Sequence, residues 1–495
     1  MKKILFIIWS YSLGGGAEAL LTMIVNHLDP EEYQIGIVEF YHSTVKKEPV
    51  NPNIRIYEPI TFEGDREYQK KLYYTYHEPD RMIGKYIPAG YDLYVSFNYQ
   101  IPSFLLPEGA RNIAWIHGEV SDLGERGMDE YRNLQDNAFK KAARIVAISD
   151  ITSASIQTLF PKHVKKLVEI NNAVNIGKVM EESDCLTEIK LQHPALVWVG
   201  RMDDNKNPLR AVDIFKELIG KIGSAHLYFL GKGPLETKIR NRAEVYGLRE
   251  QVHVLGYMEN PFPVIKQADV CCMTSKSEGF PISLLECVAL DVPFVSTKVG
   301  GVSALSNGGR CGRVYGTDEE AVNDIVEFLG MPKEVLAREC KDSIRQFDLD
   351  VYISKIEELF DEVLGLEVNL DRTMTWEKAQ STDELEDRNY YYRFPEGLVP
   401  EGSRVILYGA GDIGTNYFNY MNETGLYQIT AWVDAAADTH RKAGKDVKDL
   451  DVISQIEYDF LIIAVMAERV SQEIRMDLRR RGVSDSKIIW TRPIL

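Results

Sequence analysis

One pattern occurs three times along this sequence: a short uninterrupted apolar run, a turn that contains glycine, and a segment with helical periodicity. The three copies are KKILFIIWSYSLGGGAEALLTMIVNHL, ALVWVGRMDDNKNPLRAVDIFKELIG and SRVILYGAGDIGTNYFNYMNETG. Apolar runs without alternation are typical of strands buried on both faces, and helices between such strands favour a parallel sheet. The chain is therefore predicted to be an α/β protein with three doubly wound units.

The spacing of these copies predicts the domain organisation of the 495 residues. The polar and charged connector from Asn175 to Pro194 is expected to be the hinge region between the first two units. The expected regions are a first Rossmann-like domain over 1–175, a second over 190–345, a closing helix over 346–365, a linker over 366–402 and a small Rossmann-like module over 403–495.

Composition and charge limit the classes of partner. A formal net charge of −17 argues against nucleic acid, because duplex binding draws its affinity from Lys and Arg. No apolar run approaches the roughly 18 residues that span a bilayer, so we expect a cytoplasmic chain. The six cysteines lack C-x-x-C spacing, and Asp203 and Asp204 lack the context of a sugar site, so neither a disulfide framework nor a metal is expected.

The stretch SEGFPISLLE carries two glutamates, Glu278 and Glu286, around the predicted start of a helix. Pro281 suits the first turn of that helix, and the free N–H groups from Gly279 through Ser283 would form an anion site. Carboxylates do not bind phosphate but accept hydrogen bonds from hydroxyls. The order fits a ligand with a sugar, a phosphate and a second sugar; the alternative is a capping acid followed by a solvated helix residue.

Other polar or glycine residues follow predicted strands, at the carboxyl edge of a parallel sheet, where ligands bind. Gly14 to Gly16 would let a phosphate or sugar approach the backbone, although a tight turn explains them equally well. Arg201 and Lys206 could neutralise an anion or be solvated surface charges. His117 could face a ligand or be a structural histidine.

In combination, these motifs resemble the retaining nucleotide-sugar glycosyltransferases of family 4. SEGFPISLLE matches an E-x7-E arrangement and VGRMDDNKN matches GR…K. Over about residues 1 to 365 the other matching segments are GGGAE, WIHG, RIVAIS, NNAVN, GKGP, VLGY and TKVGG. The resemblance implies the GT-B fold, in which two Rossmann-like domains face a cleft, the first serving the acceptor and the second the nucleotide-sugar donor.

The resemblance also implies a role for each matched residue. Glu278 would contact the hydroxyls of the donor sugar, Glu286 those of the ribose, and His117 would lie near the donor sugar. Arg201 and Lys206 would neutralise the diphosphate leaving group. Further implied donor contacts are Gly15, Gly16, Gly279, Phe280 and Pro281, with Asn172, Gly256 and Tyr257 as additional candidates.

The implied reaction transfers a sugar, with retention, from a nucleoside-diphosphate sugar to a glycan or lipid-linked acceptor in bacterial surface polysaccharide biosynthesis. It needs no bound divalent ion or other cofactor. No residue stands out as a covalent nucleophile, so front-face attack assisted by the leaving phosphate is favoured. Placing Glu286 at the ribose argues against the two-carboxylate mechanism of glycosidases.

The third unit contains a complete G-x-G-x-x-G, formed by Gly409, Gly411 and Gly414, between a predicted strand and a predicted helix. Asp434 ends the next predicted strand, in the position expected for an acid that binds ribose. The module resembles small Rossmann-like modules appended to bacterial polysaccharide enzymes. It is expected either to bind a nucleotide or dinucleotide or to serve as a structural or docking module.

Several alternatives stay open at this point. Other functions are a different GT-B enzyme, such as a phosphorylase or nucleotide-sugar epimerase, an NAD-linked oxidoreductase built on the C-terminal fingerprint, and a catalytically silent partner subunit. Nine tyrosines between Tyr57 and Tyr99 predict an acceptor-side surface or an insertion that packs on its own domain. The lysines from Lys162 to Lys166 could contact an anionic membrane at its inner face or form a solvated charge patch.

Overall fold

A computed structural model describes residues 1–12, 15–43, 51, 53–98, 100–120, 129–366, 385–388, 390–392, 394–395 and 397–494. Gly14 and about half of the expected linker over 366–402 lie outside this range. The chain forms two compact units, Met1–Glu63 with Tyr86–Gln380, and Gly64–Lys85 with Ser381–Leu495. None of the helices among the described residues has the length and apolar character needed to cross a bilayer.

The first unit begins with a seven-stranded parallel sheet. Its central strands are buried along their whole length, because helices cover both faces. In spatial order the strands are Arg55–Ile56, Tyr33–Glu39, Lys2–Ile8, Leu93–Phe97, Asn112–Ile116, Arg144–Ala147 and Leu167–Glu169. The helices of this part are Gly16–His27, Ile101–Phe104, Asp129–Lys141 and Asp150–Leu159, and a small separate sheet pairs Tyr41–His42 with Thr61–Phe62.

A second parallel sheet, of six strands, follows in the same unit. In spatial order its strands are Val252–Gly256, His226–Leu230, Ala195–Val199, Val270–Met273, Phe294–Thr297 and Gly312–Tyr315. The helices are Ile176–Ser183, Pro208–Ile222, Glu236–Val245, Phe262–Ile265, Ile282–Ala289, Val302–Leu305, Asp318–Gly330 and Lys333–Ile344. The polar connector that was expected to be a hinge therefore contains a helix, Ile176–Ser183.

The helix Leu349–Leu364 returns from the second sheet to the first. Its Phe360 ring packs against Phe6 with 6.3 Å between ring centroids, and its Tyr352 packs edge-on against Trp115. The two chain crossings between the sheets run side by side, because Val174 N–H donates to Phe347 O at 3.0 Å. Leu349 N–H in turn donates to Val174 O at 3.1 Å.

The second unit is built on a four-stranded parallel sheet. In spatial order its strands are Gln428–Val433, Arg404–Tyr408, Phe460–Ile463 and Ile488–Ile489. Its helices include Asp412–Thr424, Ala437–Lys442, Glu468–Arg480 and, from the early part of the chain, Tyr68–His77 and most of Pro79–Tyr86. The α/β prediction with three parallel sheets is confirmed. Of the two alternatives for the tyrosine-rich segment, packing on its own domain does not hold for Gly64–Lys85, which belongs to this second unit, and the alternative of an acceptor-side surface stays a prediction.

Candidate functional site

The predicted anion site lies at the start of the helix Ile282–Ala289, directly after the strand Val270–Met273. Pro281 occupies the N-cap position, one residue earlier than the first-turn position expected from the sequence. Proline suits this point, since it has no N–H that needs an acceptor. The N–H groups of Ile282 and Ser283 therefore lie at the positive end of the helix.

Lys206 and Glu278 meet at this helix start. The Nζ atom of Lys206 lies 2.6 Å from Oε1 of Glu278, and both side chains are largely buried. Asn205 connects the two loops, since its side-chain amide donates to Ser277 O and its backbone carbonyl accepts the N–H of Lys276. The sequence-predicted cation and acid are thus brought together by contacts of the residue next to Lys206.

Two glycines of GKGP allow the loop that carries Lys206 to lie close to the neighbouring strand end. A Cβ atom on Gly231 would stand 1.9 Å from Gly200 O, and one on Gly233 would stand 2.5 Å from Met202 O. Gly231 also has φ +134°, a conformation that side chains rarely adopt. These positions require glycine for close backbone approach.

Glu286 is the fifth residue of the helix Ile282–Ala289, on the side that is only partly exposed. Burial, followed by the nearby charge of Glu182, raises the pKa of Glu286 to about 7. Hydroxyl groups that donate hydrogen bonds to Glu286 would favour its ionised form and so lower this pKa.

Arg201 differs from Lys206 in its surroundings. Its side chain is 77% exposed, and its guanidinium lies 3.0 Å from the carboxylate of Asp203. Arg201 also acts electrostatically on Glu18, whose pKa is raised mainly by burial and lowered in part by Arg201. The two predicted cations are therefore held differently, Lys206 at the helix start and Arg201 at an exposed edge.

The first sheet closes the site from the other side. A Cβ atom on Gly279 would lie 2.3 Å from His117 O, and one on Gly300 would lie 2.6 Å from Ser149 Oγ. Asn172 donates from its amide to Phe280 O at 3.3 Å. The carboxyl ends of the two parallel sheets therefore face each other across Gly279, as expected for a ligand site in this type of fold.

His117 packs its ring against Phe97, with 4.1 Å between ring centroids. Its Nε2 atom is buried, and no hydrogen-bond partner for it is found in the part of the chain that the structure describes. Burial lowers the pKa of His117 to about 3, so the ring is neutral at physiological pH. A neutral imidazole with an unused nitrogen fits a contact with a sugar hydroxyl.

The glycine loop after the first strand lies opposite the helix start. A Cβ atom on Gly16 would stand 3.5 Å from Cδ1 of Ile282, whereas the carboxylate of Glu18 folds back over Gly15. The N–H of Gly15 hydrogen-bonds this carboxylate. Sequence reasoning missed Glu18, although a glutamate three residues after the N-cap Gly15 is the acidic half of a capping box.

Asp150 is the other acid that sequence reasoning missed. Its carboxylate accepts the N–H of Gly301 at 3.1 Å and so ties the first sheet to the loop after the strand Phe294–Thr297. Asp150 is the first residue of the helix Asp150–Leu159, whose N-cap is Ser149. In the sequence, a Ser-Asp pair indicates only the start of a helix.

The glycine fingerprint of the second unit has the backbone geometry of a Rossmann turn. Gly409 has φ +109°, and a Cβ atom on Gly414 would stand 1.9 Å from Gly409 O. The carboxylate of Asp434 accepts the N–H groups of Ala410 and Ala436, each at 2.7 Å. Lys445 donates to Ala410 O and Thr415 Oγ1, so a lysine and an acid of the chain already hold this loop.

Two family models match separate parts of the chain. Residues 193–330 match the model described as glycosyl transferases group 1, and residues 401–489 match the model described as C2185-like, N-terminal. The first match spans Arg201, Lys206, Glu278 and Glu286. The second spans the glycine fingerprint and Asp434.

Similar proteins carry glycosyltransferase names. An uncharacterized glycosyltransferase of Methanocaldococcus jannaschii is 23% identical over 203 residues, which cover 39% of this chain and 50% of the relative. A lipopolysaccharide 1,6-galactosyltransferase of Salmonella typhimurium is 26% identical over 170 residues, 33% of this chain and 44% of the relative. The chain thus spans about half the length of the curated relatives it matches.

The solved structure of Anabaena HepE in complex with UDP is 17% identical, with a TM-score of 0.55, and covers 73% of this chain and 100% of that one. Likeness at this level concerns the fold. The predicted GT-B fold is therefore confirmed: the first unit has the fold of GT-B glycosyltransferases, with an additional C-terminal domain of parallel strands.

Proposed function

We propose that this chain is a retaining, hexosyltransferase-type glycosyltransferase that uses a nucleoside-diphosphate sugar. The observation that carries the proposal is the Lys206–Glu278 ion pair at the start of the helix Ile282–Ala289, with Glu286 one turn further along. A cation and free N–H groups suit a diphosphate, and an acid on either side suits the hydroxyls of two sugars.

Each group has a defined task in this proposal. Lys206, with Arg201 at the exposed edge, stabilises the charge that develops on the leaving diphosphate. Glu278 holds hydroxyls of the donor sugar, and Glu286 holds the ribose hydroxyls. His117 is neutral and contacts the donor sugar, while the leaving phosphate assists deprotonation of the acceptor.

The Gly15–Gly16 loop, Gly279, Phe280 and Pro281 would shape the donor cleft by allowing close backbone approach. Their small or fixed geometry fits this role, since a Cβ atom on Gly279 would enter the opposing wall. We propose that these residues contact the donor.

Names of similar proteins support the donor and acceptor classes. The Anabaena structure is titled as a complex with UDP, and the Salmonella relative is named a lipopolysaccharide galactosyltransferase. We therefore propose a glycan or lipid-linked acceptor of a bacterial surface polysaccharide, reached from the cytoplasmic side of the membrane. The reaction requires no bound metal in this proposal.

Calorimetric titration of the full chain with UDP, ADP and GDP, followed by assays with the matching nucleotide sugars, tests the proposal. The expected result is binding of one nucleotide and sugar transfer that depends on an added acceptor, with the donor anomer retained by NMR. Sugar interconversion without acceptor would instead indicate an epimerase, and release of sugar phosphate from a glycan a phosphorylase. Lack of binding to every nucleotide would contradict the proposal.

A further inference from the structure

The segment Gly64–Lys85 is separated by about 300 residues from the C-terminal sheet with which it forms one compact unit. We propose that this segment, here called the docking arm, is the binding partner of the C-terminal module, and that the arm retains the module without the intervening peptide chain. The partner surface consists of Leu385–Arg388 and Tyr391, which lie just before the module, and of the helix Asp412–Thr424 of the module.

Polar contacts connect the docking arm with both parts of the partner surface. Lys70 Nζ lies 2.9 Å from the carboxylate of Asp387, and Tyr74 donates its hydroxyl to Glu386 O at 3.2 Å. Gln69 accepts from the side-chain amide of Asn416 at 3.0 Å. Lys70 is 9% exposed and Asp387 is 88% exposed, and Lys70 also pairs with Glu67 inside the arm at 3.1 Å.

Aromatic contacts cover the same surface. The guanidinium of Arg388 lies 4.5 Å from the ring centroid of Tyr73, and the ring of Tyr391 lies 5.8 Å from it. Tyr74, which donates to Glu386 O, is itself completely buried. A cation over a tyrosine face and a buried tyrosine are typical of a specific interface rather than of an incidental contact.

Asn416 couples the docking arm to the glycine-loop helix. Its Oδ1 accepts the N–H groups of Tyr391 and Tyr392, while its Nδ2 donates to Gln69 Oε1 and Asp412 O. The buried side-chain amide of Asn416 thus forms hydrogen bonds with its own helix, with the segment before the module and with the arm. A side chain with this many partners specifies one docking geometry.

Covalent topology makes the consequence measurable. The chain enters the docking arm after Glu63 and leaves it before Tyr86, so the arm is joined at both ends to the first unit. If the arm binds the module, cutting the chain between residues 366 and 385 will leave the two parts associated. If it does not, the parts will separate.

The test uses the full chain with a site for a specific protease inserted between residues 374 and 375. After cleavage, size-exclusion chromatography measures whether the C-terminal fragment elutes with the remainder at submicromolar concentration. We expect co-elution for the otherwise native chain. Separation of the fragments would overturn the proposal.

Two lysines provide a matched pair of variants. Lys70 and Lys71 are 9% and 10% exposed; Lys70 pairs with Asp387 across the contact and with Glu67 inside the docking arm, and Lys71 pairs with Asp65 inside the arm. In the cleaved chain, Lys70→Met combined with Gln69→Ala should weaken association of the C-terminal fragment by at least tenfold. Lys71→Met should leave it within about twofold of the native value. Equal association in both variants would count against the proposed surface.

A variant of the opposite face covers the case in which the arm variants fail to fold. Asp387 is 88% exposed, and Arg388 is exposed as well, so replacing both with alanine removes contacts without opening the core of the module. We expect this pair also to weaken association in the cleaved chain. Hydrogen exchange of the helix Asp412–Thr424 should stay native in this variant, and unchanged association would refute the proposed contacts.

Discussion

Lys206 Nζ and Glu278 Oε1 lie 2.6 Å apart at the start of a helix, and each side chain is more than four-fifths buried. Such a pair neutralises both charges, although a buried ion pair is not by itself a strong source of stability. A diphosphate would compete with Glu278 for Lys206 and free this acid for sugar hydroxyls. If the proposed function holds, donor binding and the release of the acid would be coupled through one cation.

Lys206→Met should reduce sugar transfer by roughly two orders of magnitude or more, as expected for removal of a group that stabilises charge on the leaving group. The variant leaves Glu278 buried without its cation, so the double variant Lys206→Met with Glu278→Gln should regain stability but not activity. Lys216→Met is the control, because Lys216 lies on the helix Pro208–Ile222 with its ammonium over the ring of Tyr246. Steady-state kinetics and thermal unfolding separate the two effects, and full activity in Lys206→Met would contradict the role.

Glu286 should make the free energy of unfolding fall as pH rises, and Glu286→Gln should remove this dependence. Burial raises the pKa of Glu286 from 4.5 to about 7, so the folded protein retains a proton that the unfolded chain releases. The contribution to stability is complete below about pH 4.5 and is lost as pH rises through 7. The variant should lack this loss, and urea unfolding at pH 4.5 and pH 8 measures it.

Ribose recognition by Glu286 can be tested with paired nucleotides. If Glu286 holds the ribose hydroxyls, the native protein should prefer a ribonucleoside diphosphate over the matching 2′-deoxy compound by about tenfold, the size of one or two hydrogen bonds. Glu286→Gln should lose most of this preference. A preference unchanged in the variant would place the ribose elsewhere.

His117 should make the native protein sensitive to acid. Its pKa falls from 6.5 to about 3 on burial, so only the unfolded chain takes up a proton between these values. Stability contributed by the neutral ring is present above about pH 6.5 and is lost as pH falls toward 3. His117→Asn should reduce the slope of unfolding free energy against pH in this range, whereas replacement of the exposed His27 should not.

Glu18→Gln should strengthen binding of a nucleoside diphosphate severalfold. Glu18 carries a carboxyl group near Arg201 and the Gly15 backbone, where it competes electrostatically with a bound anion. Glutamine keeps an acceptor for the Gly15 N–H but removes the charge. Calorimetric titration compares the affinities, with the exposed Glu31→Gln as control, and weaker binding in Glu18→Gln would indicate that the acid serves the ligand instead.

Asp434→Ala should destabilise the C-terminal sheet. It leaves the N–H group of the buried Ala410 without its acceptor, at a cost of about 1–3 kcal/mol, and also removes an exposed hydrogen bond from Ala436 N–H. Hydrogen exchange in the strand Arg404–Tyr408 should rise, whereas replacement of the exposed Asp438 should leave it native. Titration with NAD in the same variants would show whether Asp434 has a ligand as well; equal exchange in both variants would contradict the structural role.

Much of the fold followed from the sequence because apolar runs and glycine turns are local signals. The strands Lys2–Ile8, Ala195–Val199 and Arg404–Tyr408 each fall within one of the three repeated segments. The docking arm could not be found this way, because Lys70 and Asp387 are brought together only by tertiary structure. Polar and tyrosine-rich composition carries no information about a partner 300 residues away.

For the site, the sequence placed Lys206, Glu278 and Glu286 at strand and helix ends, and the structure brings the first two into contact. It could not indicate that Arg201 stays exposed beside Asp203, since that depends on the shape of a loop in which Asn207 is left-handed. It also missed Glu18, because a capping glutamate has the same sequence signature whether or not it borders a cleft.

The paired crossings at Val174 and Phe347 connect the two sheets of the first unit at one place. Because the two strands of chain between the sheets are hydrogen-bonded to each other, any opening of the cleft must bend both at the same point. The helix Leu349–Leu364 then moves as part of the first sheet, although it follows the second in the chain. We therefore expect such a motion to turn about this one place, and a protein shortened before Leu349 would lose one of the two crossings and part of the first core.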